Sequence, residues 1–342
     1  MKNHISLFIF AIALLSGPVS ANDLSMTAVK DTLASIPGEH NYIYVRTPLG
    51  EDEEKNYDEI TFYDGLGREL DFAQSYGADR AGAIMAHHHL IEYDSLGRKE
   101  KQWLSTNTSF SYMSPEDLKG GVLWDYHDAG KRSYLQTNYE SSPLNRITEQ
   151  YGVGDAWGDH PARMEYLTNI PADSLRCSFY FIDDNDSLIR RGDYRSGELQ
   201  VTKATDEDGK PTYTFVDKQG RTLLTRLGRG NQQADTYFVF DRFGRIRYVL
   251  PPMINDEISA GNLDLYAYQY LYDSFGRCIS KKLPGCAAIG YVYDKADRVI
   301  LSQNGNQSQK KEWTFTFYDN QGRLALTGLC SFNDPPSLDN SI

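Results

Sequence analysis

The sequence predicts a mainly all-β fold made of repeated antiparallel β-hairpins. Three observations carry this prediction. The 342-residue chain holds 24 Tyr, 15 Phe and 28 Gly, which suits pleated, half-buried surfaces joined by turns that need positive φ. Runs such as Trp313-Thr314-Phe315-Thr316-Phe317 and Tyr266-Ala267-Tyr268-Gln269-Tyr270 alternate with the two-residue period of a strand. One short pattern, Asp-x-x-Gly-Arg, recurs along the chain between such runs.

Six copies of that pattern are complete: Asp64, Gly67, Arg68; Asp94, Gly97, Arg98; Asp217, Gly220, Arg221; Asp241, Gly244, Arg245; Asp273, Gly276, Arg277; and Asp319, Gly322, Arg323. A seventh, Asp294 to Arg298, has Asp297 in place of Gly, and Tyr126 to Lys131 reads as a decayed copy. The spacing has a local chemical reason. The Asp carboxylate accepts hydrogen bonds from backbone N–H groups just ahead of it. Three residues on, Gly takes the left-handed conformation that closes a type I turn with a bulge, and Asp tolerates that conformation better than most residues. Each copy is therefore expected to be one hairpin. A lone hairpin is marginal, so hairpins recurring every ~20–35 residues are expected to stack side by side and bury their aromatic faces.

The rest of the chain sets the frame. Met1 to His4 is a short basic start, Ile5 to Leu15 is apolar apart from Ser6, and Val19-Ser20-Ala21 fits a cleavage site. Residues 1–21 are expected to be a secretory leader, with export to the periplasm, cell surface or medium. The apolar run is too short to span a bilayer. The expected divisions are a β-rich N-terminal domain with early hairpins over 22–175, the repeat region over 176–332, and a flexible tail over 333–342. The formal charge of −12 disfavours nucleic acid as a partner, since like charge repels phosphate backbones. Four cysteines, Cys177, Cys278, Cys286 and Cys330, allow three pairings. Cys278 and Cys286 are spaced to face each other across one hairpin, and buried free thiols are the alternative.

The repeated turns resemble the YD repeats of RHS proteins, a family that includes bacterial polymorphic-toxin shells, insecticidal toxin-complex components and teneurins. The stretches Gly276 to Gly285, Tyr291 to Lys295, Asp297 to Gln303 and Asn304 to Gln307 are similar to one bacterial RHS subgroup, in which a domain of unknown function precedes the array. Tyr139 to Arg146 and Tyr151 to Trp157 resemble that domain's closing motifs. The resemblance implies a sheet wound into a shell, here a partial one. With no recognisable closing segment before Ile342, it implies the front part of a toxin-delivery or cell-surface assembly, completed by a downstream chain.

No catalytic residue, cofactor site or metal site is expected. His87-His88-His89 is the one histidine cluster, but adjacent strand residues point to opposite faces and do not converge on one ion; the alternative is a solvated loop or strand start. Asp183-Asp184-Asn185-Asp186 and Asp206-Glu207-Asp208-Gly209 are dense in carboxylates, but lack the Glu that a calcium loop needs and read as turn chemistry. Glu51 to Glu54 reads as a solvated loop. No nucleophile elbow, zinc-protease helix or phosphate-cradling loop is present. The rival to a scaffold is a standalone surface module whose Tyr and Trp faces bind glycan or protein. A third reading, a glycan-cleaving enzyme, needs two carboxylates across one cleft.

Overall fold

Alternation and turn chemistry act together in the observed architecture. The computed structural model describes residues 40–48, 56–78, 84–228, 233–254 and 257–331. The leader, Glu51 to Glu54 and the tail lie outside these residues. Within them the chain is nearly all β, with 22 strands and three short α-helices. It divides into two compact units, one through Arg163 and one from Met164.

In the first unit, strands β1 (Asn41–Pro48), β2 (Asn56–Tyr63), β3 (Glu69–Ala78) and β4 (Ile84–Tyr93) form an antiparallel run. The far side of β4 is shared. Its first half pairs with β6 (Thr106–Ser109) and its second half with β5 (Lys99–Trp103). From β5 the ladder continues to β7 (Tyr134–Tyr139), β8 (Ile147–Tyr151) and the start of β9 (Ala162–Thr168). Ile60, Phe62, Ala73, Ala86 and Phe110 form the buried core. Helix α1 (Pro115–Asp125) starts where Ser114 accepts a hydrogen bond from the N–H of Asp117 and Pro115 presets the first turn, and it buries Leu118 and Val122.

The second unit is a meander in which consecutive strands pair: β12 (Gln200–Thr205), β13 (Pro211–Val216), β14 (Thr222–Leu227), β15 (Ala234–Phe240), β16 (Ile246–Leu250), β17 (Tyr268–Tyr272), β18 (Cys278–Lys282), β19 (Ile289–Tyr293), β20 (Val299–Gln303), β21 (Glu312–Tyr318) and β22 (Leu324–Ser331). A separate hairpin of β10 (Ser178–Ile182) and β11 (Leu188–Asp193) packs Tyr180 and Leu188 into the same core as Phe215, Leu224, Val239 and Leu250. Helices α2 (Ala260–Tyr266) and α3 (Gly305–Lys310) are short insertions, each started by a side-chain cap from Ser259 or Asn304.

The second unit begins at residue 164, where β9 pairs with β12 and Leu167 packs on the second core. The fully buried Asn169 fixes the chain there, accepting from the N–H of Leu199 and donating to the carbonyl of Arg195. Three sequence expectations are corrected. Tyr126 to Lys131 is no hairpin: Tyr126 closes α1, and His127–Ala129 is one 3-10 turn that Gly130 closes by donating to the His127 carbonyl. The alternating run from Tyr266 starts its strand only at Tyr268, since Tyr266 ends α2. The histidine cluster is neither loop nor strand start but the middle of β4.

All four cysteines are free thiols, Cys177 buried and Cys286 exposed. Burial pushes the Cys177 thiol up to about 12. Thiolate is the reactive form. Alkylation followed by mass spectrometry is therefore expected to label Cys286 rapidly in the native protein and Cys177 only after denaturation, with four thiols in total. A thiol count of two or zero without reductant contradicts the free-thiol assignment.

Candidate functional site: the array of aromatic-Asp-Gly-Arg turns

All seven Asp-to-Arg turns share one geometry. The Asp N–H donates to the carbonyl of the Arg four residues on, and the N–H of the Gly, or of Asp297, donates back to the Asp carbonyl. The Gly residues have φ between 78° and 86°, and Asp297 has φ 59°. The ladder slips by one residue beside each turn, between Phe62 and Tyr63, Glu92 and Tyr93, Phe215 and Val216, Val239 and Phe240, Leu271 and Tyr272, Val292 and Tyr293, and Phe317 and Tyr318. That slip is the bulge the left-handed residue creates.

The carboxylates do two jobs. Oδ1 of Asp64, Asp94, Asp217, Asp241, Asp273, Asp294 and Asp319 accepts from the N–H groups two and four residues ahead at 2.8–2.9 Å. Oδ2 accepts from the Nε of the turn's own Arg at 2.6–2.7 Å. All seven carboxyls are held below the usual carboxylate range. At Asp64, Asp294 and Asp319 the backbone N–H of the Arg is the largest cause. At Asp94, Asp217, Asp241 and Asp273 partial burial pushes upward most strongly, but the backbone and guanidinium hydrogen bonds together outweigh it.

The Arg then reaches the next hairpin, a feature sequence reasoning missed. Arg68, Arg98, Arg221, Arg245, Arg277 and Arg298 lie over the rings of Tyr93, Tyr139, Phe240, Tyr272, Tyr293 and Tyr318, at 4.5–5.1 Å from the centroid. Each of the five tyrosines donates its hydroxyl to the carbonyl of the residue following that Arg, namely Glu69, Lys99, Ile246, Cys278 and Val299, at 2.7–3.1 Å. The aromatic residue before the turn's acidic residue, Glu140 after Tyr139 and Asp in the other five, is thus the receptor of the preceding Arg. A signal was present in the sequence: Val216 stands at the aromatic position where the preceding turn carries Lys210 instead of Arg.

Three further turns share the frame. Asp183 and Asp206 accept from the same pair of N–H groups, with Asp186 (φ 65°) and Gly209 (φ 79°) in the left-handed position and Ser187 and Lys210 in place of Arg. Glu140 to Arg146 is an expanded version, closed by Glu140 N–H to the Arg146 carbonyl and by Arg146 on the Glu140 carboxylate. Arg146 and Ser142 draw the Glu140 carboxyl down to about 2. The β10–β11 turn lies by the turns of Asp241 and Asp273, where these carboxylates line one cleft. Asp241 is engaged by Arg245, Asp273 by Arg277, Asp183 by the N–H groups of Asn185 and Ser187, and Asp186 by the buried guanidinium of Arg247, which also holds it below the usual range; Asp184 lines the same cleft.

The histidines diverge. His88 is buried, with Nδ1 2.7 Å from Asp71 Oδ2 and Nε2 3.0 Å from the Ser109 carbonyl, while His89 is exposed on the other face. Among the described residues no group of three or more His, Cys, Asp or Glu is placed to hold a metal ion, and no helix is long and apolar enough to cross a membrane.

Residues 41–168 match a family model described as a domain of unknown function, DUF6443. No curated protein matches the chain. Among solved structures the fold is similar to that of TcdB2-TccC3-Cdc42, with a TM-score of 0.57 and 14% identity over 87% of this chain. It is also similar to TcdB2-TccC3 without its hypervariable C-terminal region, with a TM-score of 0.56 and 13% identity over 91%. This chain spans 14–15% of the length of those chains.

Two expectations test the array. Tyr293→Phe keeps the ring but removes the hydroxyl bond to Cys278, so chemical denaturation should show a loss of about 1 kcal/mol, whereas Phe240→Tyr should cost nothing; equal effects would separate the hydroxyl from the staple. The turn carboxyls titrate lower in the folded chain than the unfolded value of about 3.9. Their stabilisation is therefore complete above that value and lost as pH falls through the folded pKa. The melting temperature should drop steeply on acidification below about pH 4, and less steeply in Asp241→Asn.

Proposed function

We propose that this chain is a non-catalytic, exported scaffold of the RHS type, whose YD-type hairpin array is the front part of a toxin-delivery or cell-surface assembly completed by a downstream chain. One observation carries the reading. The residues a chemist would first suspect of catalysis, the repeated Asp and Arg, hold their own turn and the next hairpin in the same way in copy after copy. A general acid needs a carboxyl held near the working pH, and these are held low. The match over 41–168 and the fold shared with TcdB2-TccC3 support the RHS reading.

A second reading, a standalone module binding glycan or protein, is favoured by the turn tips, where Leu66, Leu96, Phe243 and Phe275 are exposed. The test is light scattering on residues 22–342, alone and mixed with the product of the reading frame next downstream. A stable heteromeric complex is expected. A monomer that ignores that product but binds a glycan saturably would overturn the scaffold reading, as would polysaccharide turnover lost on carboxylate substitution.

A further inference from the structure

We propose that the β10–β11 hairpin carries a groove for an extended peptide with acidic ends and aromatic residues between them. The groove is separate from the repeated turns, so it goes beyond the scaffold reading and does not depend on it.

Of the described strands, only β10 and β11 stand outside the large sheet, and they pair only with each other. The outer edge of β10 is therefore open. It faces the sheet, because the N–H of Ser178 donates to the Tyr237 hydroxyl of β15 at 3.4 Å. Five consecutive residues, Ser178 to Ile182, line the hollow between them. Successive strand side chains point to opposite faces. Consecutive residues thus share one hollow along the strand's edge, where backbone N–H and C=O groups lie. Such an edge takes up an added strand.

The walls specify the added strand. Phe179 stacks on Phe181 at 5.6 Å and meets Tyr194 edge-on at 4.8 Å. Phe179 and Phe181 are half-buried and stand outside the buried core. Phe240, under the guanidinium of Arg221, lines the same hollow. Each end holds arginine that the fold leaves over. Arg242 lines the end by the β10–β11 turn, and Arg191 and Arg195 line an adjoining hollow that shares Phe179 and Tyr194. All three are exposed, and none has a carboxylate partner among the described residues. The acids beside them are taken: Asp241 by Arg245, Asp193 by Arg190, and Glu198 by the N–H of Arg195. Beyond Arg242, Asp183 and Asp184 line the next cleft, so an incoming carboxylate stops at Arg242. In a chain of net charge −12, unneutralised arginines at both ends of a row of rings match carboxylates on a partner.

An extended peptide uses all three features at once. Its backbone pairs with the edge of β10, alternate side chains lie on the rings, and its terminal carboxylates meet Arg242 and the Arg191–Arg195 pair. At about 3.4 Å per residue, five residues match β10, and one more at each end reaches the arginines. A glycan stacks on rings but leaves the strand edge unpaired.

The probe is the labelled synthetic peptide acetyl-Glu-Thr-Phe-Thr-Phe-Thr-Glu-amide, added to the full chain. Its Phe and Glu residues fall on one face of a strand. It should bind saturably by fluorescence anisotropy, more weakly as salt is raised, and slow amide exchange at residues 178–182. Arg242→Ala, and Arg191→Ala combined with Arg195→Ala, should each weaken binding about threefold, the scale of an exposed ion pair. These side chains are exposed, and the melting temperature checks that the variants fold. Replacing both Glu residues of the peptide by Lys, or both Phe residues by Ser, should weaken binding at least about tenfold. Binding indifferent to the Arg substitutions overturns the proposal, as does equal binding of the Lys-ended peptide. So does protection that falls outside 178–182. So does the absence of saturable binding by the peptide, including the case in which an oligosaccharide binds there instead. None of these outcomes touches the scaffold reading, which light scattering with the downstream product decides.

Discussion

The guanidinium of each turn arginine is the contact on which the array depends, because it joins a local conformation to a tertiary one. One edge of it neutralises the Asp whose other oxygen fixes two backbone N–H groups. Its face covers the aromatic ring of the next hairpin. In the inner copies the Asp side chain is strongly shielded, down to 4% exposure at Asp273. A carboxylate so placed is costly without a countercharge. The turn therefore needs its Arg to remain ionised, and the Arg needs the next ring to be shielded.

That linkage makes stability a matter of nearest neighbours. Where the Arg is absent, the chain compensates locally. After Lys210 the following position is Val216, and the strands there lean on the apolar core of Val201, Phe215 and Leu224 instead. At Arg221 the receptor is Phe240, which provides a ring but no hydroxyl, and Tyr237 and Val239 in the same strand are buried. The stretch from Tyr268 to Tyr318 has less core and more staple: its buried cluster is Val292, Leu301 and Trp313, while three consecutive tyrosines donate across the seam. Core burial and stapling are thus complementary means of holding one hairpin to the next.

This division explains what could be read from the sequence. The roles of Asp and Gly lie within five residues, so Asp64 to Arg68 declares its own turn. The roles of Arg and Tyr lie between copies, and nothing local in Arg98 points to Tyr139, 41 residues on. The turns at Asp183 and Asp206 were legible as turns but not as members of the set, because they lack the Arg that marks it. Tyr126 to Lys131 misled for the converse reason. It has an Asp and a Gly near the right spacing, yet α1 runs into Tyr126 and the Asp128 carboxylate stays exposed. The boundary near 164 was hidden because it depends on which strand β9 pairs with, a long-range choice. The burial of His88 depends likewise on Asp71, 17 residues away, and on β6.

A site for turnover is ordinarily the place where a protein departs from its own regularity, with a strained residue, an unpaired charge or a carboxyl held high. Here the departures fall elsewhere. Asp186, a non-glycine residue with positive φ, is engaged by Arg247 of β16. Asp297, the other substitution for Gly in this unit's turns, is stabilised by Arg277 of the previous copy at 3.0 Å. Both departures are absorbed into contacts between hairpins and so strengthen the seam. Arg323 breaks the pattern differently: among the described residues its guanidinium lies over no ring, and it stands beside an edge strand rather than in a cleft.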